Sequence, residues 1–491
     1  MDKVVVIGAG PAGLAAAQAA VQNRLPCLLV EQGSQVGGLS RTVAYRGFRF
    51  DIGPHRFFTK NQMVQALWEE TLGADFLTVP RLTRIYSQGR FYLYPLKLGD
   101  VLAGLGPWAS SKAVLSYLKQ RAWPVSVHSY ADWITRQFGR TLYETFFQDY
   151  TAKVWGVPGE LLSPDWAAQR LRNLSLWRAI MGALHSQENG KVASLVDQFH
   201  YPRYGAGQMY TALAENVQQQ GAEIALRTAV GQVTHTLNRI TSVSLLGPHG
   251  HQEVPVSQVV ASMPITDLVR RMFPRPPDQV LQAAWQLHYR SLVTVNLLLR
   301  RPPNLPDQWV YLQCPEVQAG RLHIGRNFSP AMVPDASLGS ATLEYFCNTC
   351  GDLWRAADST LVEIAKADLE QTGLIPAHDV LDGMVLRVEK AYPVYHRGYN
   401  QHLAVIRDWL AGFVNLHCIG RFGQFRYNNM DHAMLTGLLA VRRLLGEEVD
   451  PWAVNAEAEY HEEIVAPGAP PAVPLPALAP VRPEERPCAV N

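Results

Sequence analysis

A chain of 491 residues, 47% apolar and 18% charged, is long enough for two or three domains around a large core and too apolar to be disordered. A net charge of +2 without a long basic run excludes nucleic acid as a main partner. No apolar run approaches the ~20 residues of a membrane-spanning helix. No signal peptide precedes the first strand, so a cytoplasmic protein is expected. Six cysteines (Cys27, Cys314, Cys347, Cys350, Cys418, Cys488) show no disulfide framework and read as free thiols. Cys347-Asn-Thr-Cys350 has no second pair, so no metal site is expected.

The first 42 residues organise the rest. Val4-Val5-Val6-Ile7 reads as a buried strand, Leu14 to Val21 as a helix, and Pro26 to Val30 as a second strand ending at Glu31. Gly8-Ala9-Gly10-Pro11-Ala12-Gly13 joins strand to helix, the fingerprint of a dinucleotide site. Gly8 makes the turn, Gly10 lets backbone approach a pyrophosphate, and Gly13 lets helix and strand pack. The helix N-terminus then favours phosphate. Glu31, 18 residues after Gly13, is placed to accept from a ribose hydroxyl. The following Val36-Gly37-Gly38-Leu39-Ser40-Arg41-Thr42 resembles the FAD-dependent amine-oxidase superfamily, in which the glycine pair lies along the dinucleotide and the arginine reaches the pyrophosphate. That resemblance implies FAD rather than NAD, with Gly38, Leu39 and Arg41 beside it.

Tyr45 to Asp51 alternates like a hairpin strand and leads to Ile52-Gly53-Pro54-His55, a tight loop carrying His55. A helix is expected over Asn61 to Leu72, and strands near Arg84 to Tyr86 and Arg90 to Tyr94. Residues 99 to 200 read as helical, with apolar side chains at three-to-four spacing and Ser129 and Thr141 as caps. The stretch from Leu98 to Trp123 is apolar and carries Lys112, Lys119 and Arg121, which suits either a helical bundle or contact with a membrane. Glu223 to Val230, Ile240 to Leu246 and Gln258 to Ser262 read as strands. In the superfamily a residue near Val230 holds the adenine. Leu292 to Leu299 and Ala341 to Cys347 suggest an antiparallel sheet. Gly412 to Gly420 returns to the first sheet, and a final helix begins near His432. The tail from residue 466 is rich in proline and alanine and reads as disordered.

The return strand ends in Gly420-Arg421-Phe422-Gly423, followed by Arg426-Tyr427-Asn428-Asn429-Met430-Asp431. A glycine-rich loop there runs into a helix, a second set of N–H groups for FAD. Gly420, Arg421, Asp431 and Met434 are therefore cofactor candidates, and Gly53 and His55 join them because Gly53-Pro54-His55 resembles the flavin loop of the UDP-galactopyranose mutases.

Three stretches resemble the UDP-galactopyranose mutases: Gly53-Pro54-His55, Phe146-Phe147-Gln148-Asp149-Tyr150-Thr151-Ala152-Lys153-Val154-Trp155-Gly156, and Gly420-Arg421 through Asp431. In that family N5 of the reduced flavin attacks the anomeric carbon and displaces UDP, and the sugar ring recloses in the other size. The resemblance implies catalytic roles for His55, Arg321, Tyr392 and Tyr427, with Arg321 on the diphosphate. It implies substrate binding by Tyr150, Trp155, Arg170 and Arg172. The chain departs from the family in Gln169-Arg170-Leu171-Arg172-Asn173-Leu174, where a proline is missing and the second arginine displaced, and in Asn428-Asn429.

The expected fold is α/β. A discontinuous Rossmann-like FAD domain takes 1–65, 201–264 and 385–455. A helical cap takes 96–200, an antiparallel-sheet substrate domain 79–95 and 265–384, and the tail 466–491. The expected function is that of an FAD enzyme acting on a nucleotide-sugar or related glycosyl diphosphate. The alternatives are an amine, protoporphyrinogen or carotenoid oxidoreductase passing a hydride to flavin, and a flavin-bearing assembly protein.

Overall fold

The computed structural model describes residues 3–94, 101, 104–171 and 198–455. Strand Lys3–Ile7 lies inside an eight-stranded sheet. Cys27–Val30 pairs parallel on one side, followed by Glu223–Ala225, and the end of Gly250–Ala261 pairs parallel on the other. Leu416–Cys418 adds parallel to that end, bringing the last part of the chain beside the first. Gly250–Ala261 also closes an antiparallel meander with Arg239–Gly247 and Ala229–Thr236. Both faces are covered, which is why the first strand reads as continuously apolar. Val4 and Val6 point into a core with helices Pro11–Gln22, Gln62–Leu72, Gly207–Gln219 and Met430–Leu444. Val5 and Ile7 point the other way, toward the meander and helices Ile265–Arg271, Asp278–Gln286 and Tyr399–Leu410.

A seven-stranded sheet runs in the order Val380–Val394, His288–Leu299, Gly339–Cys347, Arg321–His323, Trp309–Leu312, Thr83–Ser87, Arg90–Leu93. It is antiparallel except where Trp309–Leu312 meets Thr83–Ser87. Two expected boundaries move. Residues 265–287 pack on the nucleotide sheet rather than with the substrate sheet, because the apolar faces of their two helices close its meander side. The boundary at 385 falls inside strand Val380–Val394, which belongs to the substrate sheet, so the return comes at Leu416. The strand expected over Glu223 to Val230 is two strands, Glu223–Ala225 and Ala229–Thr236, on different parts of the sheet.

Helices Pro107–Ala122, Tyr130–Phe138, Arg140–Phe146, Gln148–Trp155 and Pro164–Leu171 occupy the expected cap region. Ser129 caps its helix, accepting from the Asp132 N–H, whereas Gly139, not Thr141, stands at the N-cap of Arg140–Phe146. The expected disordered tail lies outside the described residues. Cys27, Cys314, Cys347, Cys350 and Cys418 are free thiols. Among the described residues no group of His, Cys, Asp and Glu could hold a metal, and no helix is long and apolar enough to cross a membrane.

Candidate functional site

The cofactor candidates form a cradle at the C-terminal ends of the parallel strands of the nucleotide sheet. Gly8 N–H donates to the Val30 carbonyl at 2.8 Å, closing the turn after the first strand. A Cβ on Gly13 would sit 1.8 Å from the Gly8 oxygen, so helix and strand approach as only glycine permits. Pro11 occupies the first turn of its helix and Gly10 the N-cap, with no side chain capping the free N–H groups. Gly38 faces Gly10 closely: a Cβ there would lie 3.1 Å from the Gly10 Cα. Gly37 N–H fastens this second glycine segment to the Ala9 carbonyl. Arg41 donates to the Gly38 carbonyl at 2.8 Å. Glu31 accepts from the N–H groups of Ala9 (2.9 Å) and Gly33 (2.7 Å), which aims its carboxylate at the turn.

Val230 sits near that end, since the N–H of neighbouring Thr228 donates to the Glu31 carbonyl, and its own carbonyl accepts from Arg271. Gly420 comes over the first helix, where a Cβ would be 2.9 Å from that of Ala12. Helix Met430–Leu444 has no cap from Asn429, but the buried Asp431 carboxylate accepts from its own and the His432 N–H groups in the first turn. The uncapped N-terminus of Pro11–Gln22 and the backbone-lined cradle fit an anionic dinucleotide. Met434 does not join them. Its side chain is fully buried in the core, its sulfur accepting from Trp68 Nε1 at 3.1 Å.

Beyond Leu39, which packs against Ile52 and Phe346, the catalytic candidates meet. Arg321 Nη2 donates to Glu344 at 2.5 Å and to the Tyr392 hydroxyl at 2.8 Å. Tyr392 stacks on Tyr427, with centroids 5.8 Å apart. The Arg421 guanidinium lies 4.5 Å from the Tyr427 ring and 5.7 Å from Tyr392. Trp155 meets Tyr392 edge-on, and Tyr150 meets Tyr311. Gly53 faces the Glu344 carboxylate, and His55 Nδ1 lies 3.1 Å from the Gly53 carbonyl.

Electrostatics separate binding groups from proton-transfer groups. Burial, with the charge of Arg421, lowers His55 to about 3, so its ring is neutral. Burial, with Arg321, lowers His323 to about 3 as well. Burial raises Tyr392 to about 12 and outweighs the opposing charge of Arg321. Burial also raises Tyr150. For Arg321, burial works against the charge, but Glu344 and the surrounding tyrosines keep it protonated. Burial lifts the Glu344 carboxyl while Arg321 pulls it back. The cleft thus offers a fixed cation, neutral phenols and a neutral imidazole, which suit anion binding and orientation. Among the described residues Arg321 Nε, Glu344 Oε1 and His323 Nε2 are buried without a protein partner. Such atoms mark where a ligand or water is held.

Arg170 falls in helix Pro164–Leu171, but its side chain and all of Arg172 lie outside the described residues. Glu344, His323, Trp166 and Lys153 were not among the expected site residues. Glu344 had a signal: it is the one charged residue in the wholly buried strand Gly339–Cys347. Trp166 bridges Trp155 (4.6 Å) and Tyr427 (4.8 Å). The Tyr150–Trp155 helix is bolted to the sheet by two cations. Lys153 Nζ donates to the carbonyls of Leu312, Cys314, Val317 and Ala319 at 2.8 to 3.3 Å. Arg290 donates to the carbonyls of Val154 and Phe346 and to Asn348.

The family model of flavin-containing amine oxidoreductases matches residues 11–445. A probable UDP-galactopyranose mutase from Klebsiella pneumoniae is 23% identical over 166 residues, 32% of this chain and 42% of that protein, so the match spans less than half of the relative. A reduced UDP-galactopyranose mutase structure superposes with a TM-score of 0.80 at 22% identity, covering 93% of this chain and 98% of that one. A putative protoporphyrinogen oxidase from Exiguobacterium sp. 255-15 gives 0.68 at 17% identity, covering 90% and 99%. Putrescine oxidase with bound putrescine gives 0.59 at 15%, covering 91% and 99%. At these identities the superpositions speak for the fold, the mixed α/β architecture common to the mutase and the amine oxidases. The chain belongs to the flavin-containing amine oxidoreductase family, and its cofactor is FAD.

Proposed function

We propose that this FAD enzyme acts in the cytoplasm on a nucleotide-sugar or a related glycosyl diphosphate, in the manner of a UDP-galactopyranose mutase. The observation that carries the reading is Arg321, a cation kept charged at the inner end of an aromatic cleft and bonded to Tyr392. Reduced flavin, when bound, supplies a nucleophilic N5. In this reading the side chains bind and orient. Arg321 and Arg421 offset the diphosphate charge, the hydroxyls of Tyr392 and Tyr427 donate to phosphate or sugar oxygens, and Tyr150 and Trp155 line the nucleotide. Neutral His55 holds the Gly53 loop against the cofactor. The uncapped N-terminus of Pro11–Gln22, with Gly8, Gly10, Pro11, Ala12, Gly13, Gly38, Arg41 and Gly420, receives the FAD phosphates, and Glu31 the ribose. Arg170 and Arg172 are kept as substrate ligands on the resemblance alone.

The test uses protein reduced anaerobically and incubated with UDP-galactopyranose and cyanoborohydride. A flavin–sugar adduct by mass is expected. No adduct with any nucleotide-sugar, together with peroxide release from an amine or a porphyrinogen, overturns the reading.

One observation favours the second reading, an oxidoreductase passing hydride to flavin. Glu344 already offsets the Arg321 charge, and Trp155, Trp166, Phe346, Tyr392 and Tyr427 form the kind of aromatic cage that suits an amine or apolar substrate. Anaerobic bleaching of the oxidised flavin by such a substrate would select it.

A further inference from the structure

The helix Pro107–Ala122 has an inner face that is well fastened. Ala113 and Tyr117 are buried, and Ser116 Oγ accepts from the Thr141 N–H. Its outer face carries Trp108, Lys112, Leu115, Leu118 and Lys119, three or four residues apart and so on one side of the helix. Trp123 follows at its C-cap. Trp108 and Trp123 are each 75% exposed and Leu115 66%. Burying large apolar side chains is worth far more than leaving them in water, so a cluster of this kind on one face marks a contact surface. Lys112 Nζ lies 5.3 Å from the Trp108 ring centroid, which places charge and indole side by side. Between Val101 and His128 the sequence has Lys112, Lys119 and Arg121 and not one Asp or Glu.

We propose that this face docks on an anionic lipid surface. Tryptophan and lysine on one helix face match the boundary between headgroups and acyl chains, where the indole is partly desolvated and the ammonium reaches phosphate. A second copy of the chain is the poorer occupant. A two-fold contact would set this face against itself, bringing the lysines of one copy up to the same basic face of the other with no carboxylate on the helix to meet them. The site thereby gains access to material at a membrane surface, whichever reaction the cleft performs.

The test is flotation of the full-length, FAD-loaded protein with phosphatidylcholine vesicles, with and without phosphatidylglycerol, at low and high salt. Binding to the anionic vesicles at low salt and release at high salt are expected. Trp108→Ser with Trp123→Ser should abolish binding. Lys112→Gln with Lys119→Gln should weaken it about 25-fold, about five-fold per cation. Flavin absorbance and far-UV circular dichroism check that each variant is folded, and the two pairs report independently. The proposal is overturned by absence of vesicle binding, by equal binding to neutral vesicles, or by binding that survives both tryptophan substitutions. It is also overturned by a doubling of mass without lipid that the tryptophan substitutions remove, since the face would then belong to a second copy.

Discussion

Arg321 and Glu344 stand opposite each other on neighbouring antiparallel strands, and their side chains meet at 2.5 Å inside the cleft. The Glu344 side chain is wholly buried, and one of its oxygens has no protein partner. The pair sets how much positive charge the cleft offers an incoming ligand. Glu344→Gln removes the counter-charge and leaves the guanidinium. It should cost about 3 kcal/mol of stability, because it breaks a buried pair, and should tighten UDP binding while FAD stays bound. Arg321→Ala should act oppositely on the ligand, weakening UDP by about 2 kcal/mol, the worth of a charged hydrogen bond. Urea unfolding and calorimetric titration with UDP check both. Unchanged UDP affinity in both variants would remove Arg321 from the binding site.

Lys153 acts at one remove from the ligand. Its ammonium shares three N–H donors among four carbonyls in the segment 312–319, which leads directly into the strand that begins with Arg321. Burial lowers its pKa, and the nearby Cys314, Asp368, Glu316 and Asp149 pull it back. Lys153→Met keeps the aliphatic stem and removes the donors. The unmet carbonyls should cost about 2 kcal/mol of stability, and the freed segment should let Arg321 drift. The measurable signature is a raised KM for the substrate of Arg321 with kcat less affected. A drop in stability with KM untouched would make Lys153 structural only.

The fold was legible where local signals agree. Strand, glycine turn, helix, second strand and Glu31 lie within the first 31 residues, and each constrains its neighbour. The cleft is different, because its parts lie on strands far apart in the chain. His55, Arg321, Tyr392 and Tyr427 could be picked out only by resemblance. Lys153 could be seen inside a motif, but its task is defined by carbonyls some 160 residues later. Trp166 carries no sequence signal of its own within the stretch read as helical, and its place in the site comes from packing on Trp155 and Tyr427. Val380–Val394 was split at 385 because its half-buried residues give no clean alternation, while its fifteen-residue length comes from pairing with His288–Leu299. Met434 followed from its place near Asp431, yet its helix turns that side chain to Trp68.

Gly437 touches no ligand and should still control cofactor retention. A Cβ there would lie 2.2 Å from the Ala12 carbonyl oxygen and 3.0 Å from the Ala16 nitrogen. Both backbones are rigid helices, so Gly437→Ala must push Met430–Leu444 away from Pro11–Gln22. Those are the two helices whose N-termini border the cradle. The protein should fold with less flavin, read as a lower ratio of absorbance near the flavin band to that of protein, and should be about 2 kcal/mol less stable, as overpacking costs. Full flavin content would show that the helix spacing does not set the cradle.

The buried imidazole of His323 should leave a mark on the acid limb of stability. The unfolded ring takes its proton near 6.5, whereas burial beside Arg321 lowers the folded value to about 3. Below 6.5 the unfolded chain therefore binds more protons than the folded one. The contribution of a neutral His323 is present in full above 6.5 and is lost as pH falls toward 3. Asp51 pulls in the opposite sense, since burial raises it to about 6 from 3.8, so the total slope does not isolate either group. The difference between wild type and His323→Gln does. Glutamine keeps a polar group in the pocket and does not titrate. Across the middle of that range the variant should lose stability less steeply, by up to about 1.4 kcal/mol per pH unit. Parallel wild-type and variant curves in urea unfolding from pH 7 to about 4 would mean that His323 takes its proton in the folded protein as readily as in the unfolded chain, despite its burial beside Arg321.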